Sequence, residues 1–166
     1  MKRYIYKQLL AWKNEKEHKP LILNGARQVG KTYILREFGR NEYKRMAFFS
    51  LDRDQKALEI FNKGGRATDM LMALSAICHE DITPHDTLVV LDEIQNCPKA
   101  LEALKFFCEE TPEIDIVVAG SLLGLSIHSG VSYPVGKVEE LHLYPMTFLE
   151  FLEAMGKTQL VNLLEN

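Results

Sequence analysis

The sequence predicts an α/β fold: a mainly parallel sheet of five strands with helices on both faces. Three observations carry this. Short apolar runs rich in β-branched residues, among them 87–91 and 114–119, have the unbroken hydrophobicity of strands buried on both faces. Segments of helical spacing lie between them, and strands alternating with helices pair in parallel. The stretch Gly25-Ala26-Arg27-Gln28-Val29-Gly30-Lys31-Thr32 joins the first apolar strand to the first crossover helix.

In order along the chain, Ile5, Leu9 and Trp12 fall at helical spacing and predict an amphipathic leading helix over 4–17, broken by His18-Lys19-Pro20. Leu21-Ile22-Leu23 is the first strand, and Tyr33-Ile34-Leu35-Arg36-Glu37-Phe38 continues as a helix. Met46-Ala47-Phe48-Phe49-Ser50-Leu51 is the second strand, followed by a helix over 54–62 that Gly64-Gly65 punctuates. The next helix sets Met70, Leu71, Leu74, Ile77 and Cys78 on one face and stops at His79-Glu80-Asp81. After the third strand, 87–91, Pro98 opens a helix with Leu101, Leu104, Phe107 and Cys108 inward; proline suits a first helical turn. The fourth strand, 114–119, ends at Gly120-Ser121, and a fifth spans 138–143. Pro145 closes it, and 147–155 resume helical spacing. Leu160-Val161-Asn162-Leu163-Leu164 stays apolar with no stop signal, as expected of a fragment whose continuation covers these residues.

A chain of 166 residues is one domain and buries about 70% of its unfolded surface, so it needs no disulfides. The domain is read as a core over 1–145 and the start of a truncated C-terminal helical or lid region over 146–166. Cys78, Cys97 and Cys108 are odd in number and form no CxxC pair, which predicts reduced thiols. A zinc site built from them with His79 or His85 is a poor alternative. No apolar run approaches the ~20 residues of a membrane span, and no signal-peptide core follows Met1-Lys2-Arg3-Tyr4. A cytoplasmic protein without membrane contact is therefore expected. Net charge is −3, but residues 1–66 hold 16 Lys/Arg against 7 Asp/Glu, and residues 67–166 hold 4 against 16. Such asymmetry fits a polyanion-binding face, end-to-end docking of neighbouring copies, or two solvated faces. The basic residues are not interleaved with aromatics as in a nucleic-acid module, so DNA as a partner is weakly supported.

The chemistry is concentrated in two stretches. Residues 25–32 read GxxxxGKT between a strand and a helix, the setting a phosphate-binding loop requires. Gly25 and Gly30 let the backbone wrap phosphates, with Ala26, Arg27, Gln28 and Val29 lending N–H groups beside the helix N-terminus. Lys31 can reach the β- and γ-phosphates, and the Thr32 hydroxyl can bind Mg²⁺. Leu88-Val89-Val90-Leu91-Asp92-Glu93 puts two carboxylates at the C-terminal end of an apolar strand, the edge where open parallel sheets bind ligands. Asp92 is the acidic partner of Thr32 at the metal, and Glu93 is the general base that polarises water. Together these predict a three-layer P-loop NTPase core. Ser121 either faces the γ-phosphate and the water or caps a helix from a Gly-Ser turn. Arg27 touches a phosphate or a neighbouring subunit, or projects into solvent. Tyr4 and Trp12 line an adenine pocket or pack in the core.

Taken with Asn24 before the loop, Leu91-Asp92-Glu93-Ile94-Gln95, Ala119-Gly120-Ser121 and Leu143-Tyr144-Pro145-Met146-Thr147-Phe148-Leu149-Glu150-Phe151-Leu152, the chain resembles the prokaryotic AAA-type P-loop ATPases related to archaeal and STAND-like NTPases. The similarity covers roughly residues 4–155, and the last motif is the most family-specific. The resemblance implies that the Ser121 strand lies between the two motif strands. It also implies a catalytic set of Glu93, Lys31 and sensor Ser121, metal ligands Thr32 and Asp92, and a larger C-terminal region of poorly defined, sometimes nuclease-like character. Relatives often carry Gly-Arg before the final strand where this chain has Gly136-Lys137, and its last arginine is Arg66. Lysine does not replace a bidentate guanidinium on equal terms.

The expected activity is therefore Mg²⁺-dependent ATP binding and slow hydrolysis, serving as motor or switch for a C-terminal region, with ATP/ADP as ligands and a homo-oligomer as one partner arrangement. The alternatives are a nucleotide-binding switch without turnover and a small P-loop kinase. The chain has no arginine-rich lid of the kinase kind, and adjacent Asp92-Glu93 suits water as acceptor. An Asn/Thr-Lys-x-Asp guanine box is absent from the sequence.

Overall fold

Residues 3–121 and 133–165 are described by a computed structural model. Among them the order is α1 (Tyr4–Asn14), β1 (Leu21–Asn24), α2 (Lys31–Glu42), β2 (Arg45–Ser50), α3 (Gln55–Lys63), α4 (Ala67–Cys78), β3 (Thr87–Asp92), a 3-10 turn (Ile94–Asn96), α5 (Pro98–Glu110), β4 (Asp115–Gly120), β5 (Glu139–His142), α6 (Phe148–Ala154) and α7 (Thr158–Glu165). All pairings are parallel, in the order β2-β3-β4-β1-β5. The strand leading into the phosphate loop is thus separated from the Asp92 strand by β4. The fold is the α/β P-loop core that the strand–helix alternation predicts.

The two faces of the sheet follow from the two-residue period of a strand. Ile22, Ala47, Phe49, Val89, Leu91, Ile116 and Val118 point to one side, where Phe61 of α3, Leu74 of α4 and Leu104 and Phe107 of α5 cover them. Leu21, Leu23, Leu88, Val90, Val117 and Ala119 point to the other, against Leu9 and Trp12 of α1 and Ile34, Leu35 and Phe38 of α2. β3 and β4 are buried along their whole length, which explains their unbroken apolar character. Each large side chain fully buried here, such as Phe38 or Phe49, contributes about 1.5–3 kcal/mol.

Several boundaries differ from the sequence reading. α1 ends at Asn14 rather than 17, because the chain turns extended at Glu15 to carry His18 into the N-terminal edge of the sheet. Trp12 is a core residue: its ring is buried and its indole Nε1 donates to the Lys19 carbonyl at 2.8 Å. The apolar tail forms α7, with Val161 buried and Leu163 and Leu164 exposed. Cys78, Cys97 and Cys108 are free thiols. No helix among the described residues is long and apolar enough to cross a membrane.

The N-terminal edge is closed by a buried polar cluster. Asp115 accepts from Tyr43 Oη at 2.8 Å and lies 2.7 Å from His18 Nε2, while His18 Nδ1 lies 2.9 Å from the Glu15 carbonyl. A carbonyl and a carboxylate can only accept, so this setting favours the imidazolium, in which both ring nitrogens donate. The hydrogen bond to Asp115 raises the His18 pKa above its ordinary 6.5, against the opposing effect of burial. A raised pKa means that the stabilisation is fully present below pH 6.5 and is lost as pH rises through the folded-state value. The melting temperature of the wild type is expected to fall over the window that opens at pH 6.5 and runs up through the raised folded-state value. His18→Gln should lower stability by about 1–3 kcal/mol at the acid end of that window and flatten the slope, read by thermal melts across the range.

Candidate functional site

β1 runs into the phosphate loop beneath the exit of β5. The Leu143 N–H donates to the Asn24 carbonyl at 2.8 Å, and a Cβ on Gly25 would stand 2.6 Å from the Leu143 carbonyl oxygen. Only glycine lets the two chains pass this closely. Gln28 and Gly30 both adopt left-handed conformations, φ 62° and 98°, on either side of Val29. That alternation curls successive N–H groups into a concavity suited to an anion. Gly30 then opens α2, and no side chain caps it, which leaves the first-turn N–H groups to a ligand.

Lys31 is 8% exposed, and its ammonium donates to the Gly25 and Ala26 carbonyls at 2.7 and 2.6 Å. Burial lowers its pKa, while the carboxylates of Glu93 and Asp92 pull the other way. Thr32 Oγ1 donates to Asp92 Oδ2 at 2.5 Å, across 60 positions of sequence. Asp92 is buried at the end of β3, and its other oxygen accepts the Glu93 N–H at 3.0 Å. Glu93 sits in the left-handed region, φ 57°. A non-glycine residue held there costs of order 1–3 kcal/mol and tends to mark functional turns. Gln95 Nε2 donates to Glu93 Oε2 and so fixes the carboxylate from behind.

Gln28, Gly30, Lys31, Thr32, Glu93 and Gln95 line one cavity of about 550 Å³ together with Arg27, Tyr33, Asp52, Asn96 and Ser121, while Gly25, Ala26, Val29 and Asp92 lie behind its lining. A larger cleft, about 680 Å³ between α3 and α4, holds none of the motif residues. The motif residues therefore gather at the smaller one. Arg27 is exposed at its mouth. Tyr4 is partly exposed beside Glu150, outside this cavity. Lys137 precedes β5, at the N-terminal edge of the sheet, and pairs with Glu109 at 3.3 Å. It lies at the opposite edge from the phosphate loop of its own chain. Among the described residues no cluster of His, Cys, Asp and Glu has the make-up of a metal site.

A family model described as an AAA domain matches residues 17–152. The chain belongs to the AAA domain family. The match supports a nucleotide-binding AAA ATPase core. Solved structures share this AAA fold at low identity. The Drosophila ORC bound to DNA superposes with TM-score 0.58 and 15% identity over 94% of this chain and 47% of that one. The Aeropyrum pernix ORC1 protein in complex with DNA gives TM-score 0.55 and 16% identity over 93% of this chain and 46% of that one. The AAA domain described here thus spans about half the length of either neighbour. No curated protein matches the sequence.

Sequence reasoning missed Asp52, Tyr33 and Asn96 as lining residues. Asp52 was within reach of it, since an acidic residue just past a parallel strand lies on the ligand-binding edge. It also missed Arg3, whose partner Glu150 is 147 positions away. The visible half of that contact was Thr147-x-x-Glu150, a capping box that the structure forms in both directions.

The tight end of β4 gives a test of this geometry. A Cβ on Gly120 would clash with Gln95 Oε1 and stand 2.8 Å from Ile94 Cγ2. Gly120→Ala should therefore cost about 1–3 kcal/mol in denaturant melts and displace Gln95 from Glu93. Gly25→Ala should cost at least as much, because its obstacle is backbone that cannot rotate away.

Proposed function

We propose that this chain binds ATP with Mg²⁺ and hydrolyses it slowly, as the motor or switch of a longer assembly whose further region begins at 146–166. The observation that carries the reading is the 2.5 Å contact of Thr32 with Asp92, with Glu93 and Lys31 around the same cavity. Loop N–H groups and Lys31 hold the β- and γ-phosphates. The Thr32 hydroxyl and the Asp92 carboxylate are hard oxygen donors that converge, and they suit Mg²⁺. When bound, that ion would neutralise negative charge on the phosphates. Glu93, oriented by Gln95, accepts the proton of the attacking water. Ser121 offers its hydroxyl to the γ-phosphate or to that water from the end of β4.

An arginine finger contributes about 10³–10⁵ in rate, and no arginine follows Arg66, so turnover by one chain alone is slow. Turnover per protomer that climbs with protein concentration identifies a homo-oligomer in which Arg27 or Lys137 of one copy completes the site of the next. A second reading, DNA binding, rests on the positive balance of residues 1–66 and on the DNA named with both structural neighbours. Steep loss of DNA association with rising salt supports it, and a flat response removes it.

Calorimetric titration of ATP and steady-state turnover, run on the same variants, test the main reading. Lys31→Ala should lose binding. Glu93→Gln should keep ATP affinity within about threefold and lose roughly 10²–10⁴ of turnover. If Glu93→Gln binds and there was no wild-type turnover to lose, the chain is a nucleotide switch rather than an enzyme. Phosphate transfer to an added acceptor in place of water makes it a kinase.

A further inference from the structure

Arg3 stands behind the phosphate loop and lines none of the 550 Å³ cavity. Its guanidinium is almost wholly buried and donates to three separate segments. Nη1 reaches the Val29 carbonyl of the loop at 3.3 Å, Nη2 the Tyr144 carbonyl past β5 at 2.7 Å, and Nε the Glu150 carboxylate of α6 at 3.2 Å. Glu150 Oε1 also accepts the Tyr4 N–H at 2.8 Å, and Oε2 accepts the Thr147 N–H at 2.9 Å. An arginine cannot shed its proton, so this buried charge stays where its acceptors are.

The contact with Val29 bears directly on the anion cradle. The Val29 carbonyl and the Gly30 N–H belong to one planar trans peptide, so they point in opposite directions. A donor that holds the carbonyl from behind fixes the direction of the Gly30 N–H, and Gly30 is a lining residue of the cavity. The same hydrogen bond polarises the peptide toward an anion on its far side.

The contact with Glu150 bears on α6. Of its seven residues only Glu150 and Leu152 are buried, and α7 buries only Val161. Helices this short are marginal in isolation and depend on docking. Phe148, Phe151 and Met155 of this segment are exposed, so the apolar core contributes little to holding it. Among the described residues, the ion pair with Arg3 and the Tyr4 N–H bond to Glu150 tie it to the start of α1.

We propose that Arg3 is a positioning residue that links occupancy of the phosphate loop to the docking of α6 and α7. The proposal rests on the nucleotide-binding reading above. Anything that shifts the Val29–Gly30 peptide shifts the acceptor of a guanidinium that also grips Glu150, and the linkage is reciprocal. Nucleotide tightens or loosens α6, and the state of α6 alters nucleotide affinity by the same factor.

The test is hydrogen exchange at residues 148–154 in the full chain, with and without saturating Mg²⁺-ADP, alongside titration of Mg²⁺-ADP affinity. In the wild type, ADP should change exchange over 148–154. Arg3→Lys keeps the charge and loses the three-way fork. It should bind ADP about tenfold more weakly and, once saturated, show no exchange response at 148–154, with β3 and β4 protected as before. Should Arg3→Lys fail to fold, Glu150→Gln carries the same expectation. A purely structural arginine would leave α6 faster-exchanging in both states but still responsive to ADP, and that result overturns the linkage. So does a wild type that binds ADP without any response at 148–154. A wild type that does not bind ADP overturns the nucleotide-binding reading and the linkage with it.

Discussion

The candidate site depends on β4 running between the strand that ends in the phosphate loop and the strand that ends in Asp92. Neighbouring strands lie about 4.8 Å apart, so β1 and β3 are held roughly 10 Å from each other. The Thr32 hydroxyl spans that gap from the first turn of α2 and meets Asp92 at 2.5 Å. β4 ends in Gly120, where a Cβ would strike Ile94 and Gln95, so the turn that follows Asp92 packs directly against the strand end. Ser121 is the first side chain with freedom to face the cavity.

Buried charge is placed at both ends of the sheet, and each instance ties distant segments together. At the N-terminal edge His18, Tyr43 and Asp115 join the α1–β1 connection, the end of α2 and the start of β4. At the C-terminal edge Arg3 and Glu150 join the beginning of α1, the phosphate loop and α6. Burial alone would raise the Glu150 pKa, but the Thr147 and Tyr4 N–H groups and the Arg3 charge outweigh it and hold the carboxylate below its ordinary range. Such clusters are weak sources of net stability and strong determinants of arrangement, because losing one partner strands the other's charge or polar group. The core itself is apolar and continuous, so these contacts specify where the chain ends sit.

Much of this was legible in the sequence because it is written in short-range pattern. The strand at Leu21-Ile22-Leu23, the unbroken β3 and β4, and GxxxxGKT between strand and helix all follow from local pattern. The place of β4 between β1 and β3 does not; strand order is set by packing across the whole chain, and only the resemblance to AAA-type ATPases carried it. Trp12 could not be assigned from spacing, since a helical aromatic serves core and pocket alike until its neighbours are known. Lys137 was placed before the final strand correctly, but only the parallel register of β5 with β1 puts it at the edge away from the loop. Arg3 and His18 read as an N-terminal charge and part of a helix stop, because their partners are 147 and 97 positions away.

On the function proposed above, Thr32 and Asp92 act together at one Mg²⁺-nucleotide site. A double-mutant cycle on ATP affinity in the presence of Mg²⁺, using Thr32→Ala, Asp92→Asn and the pair combined, measures this most directly. Each single change should weaken binding, and the combined variant should be no weaker than the worse of the two. Losses that add in full would mean that the two residues act independently and share no site.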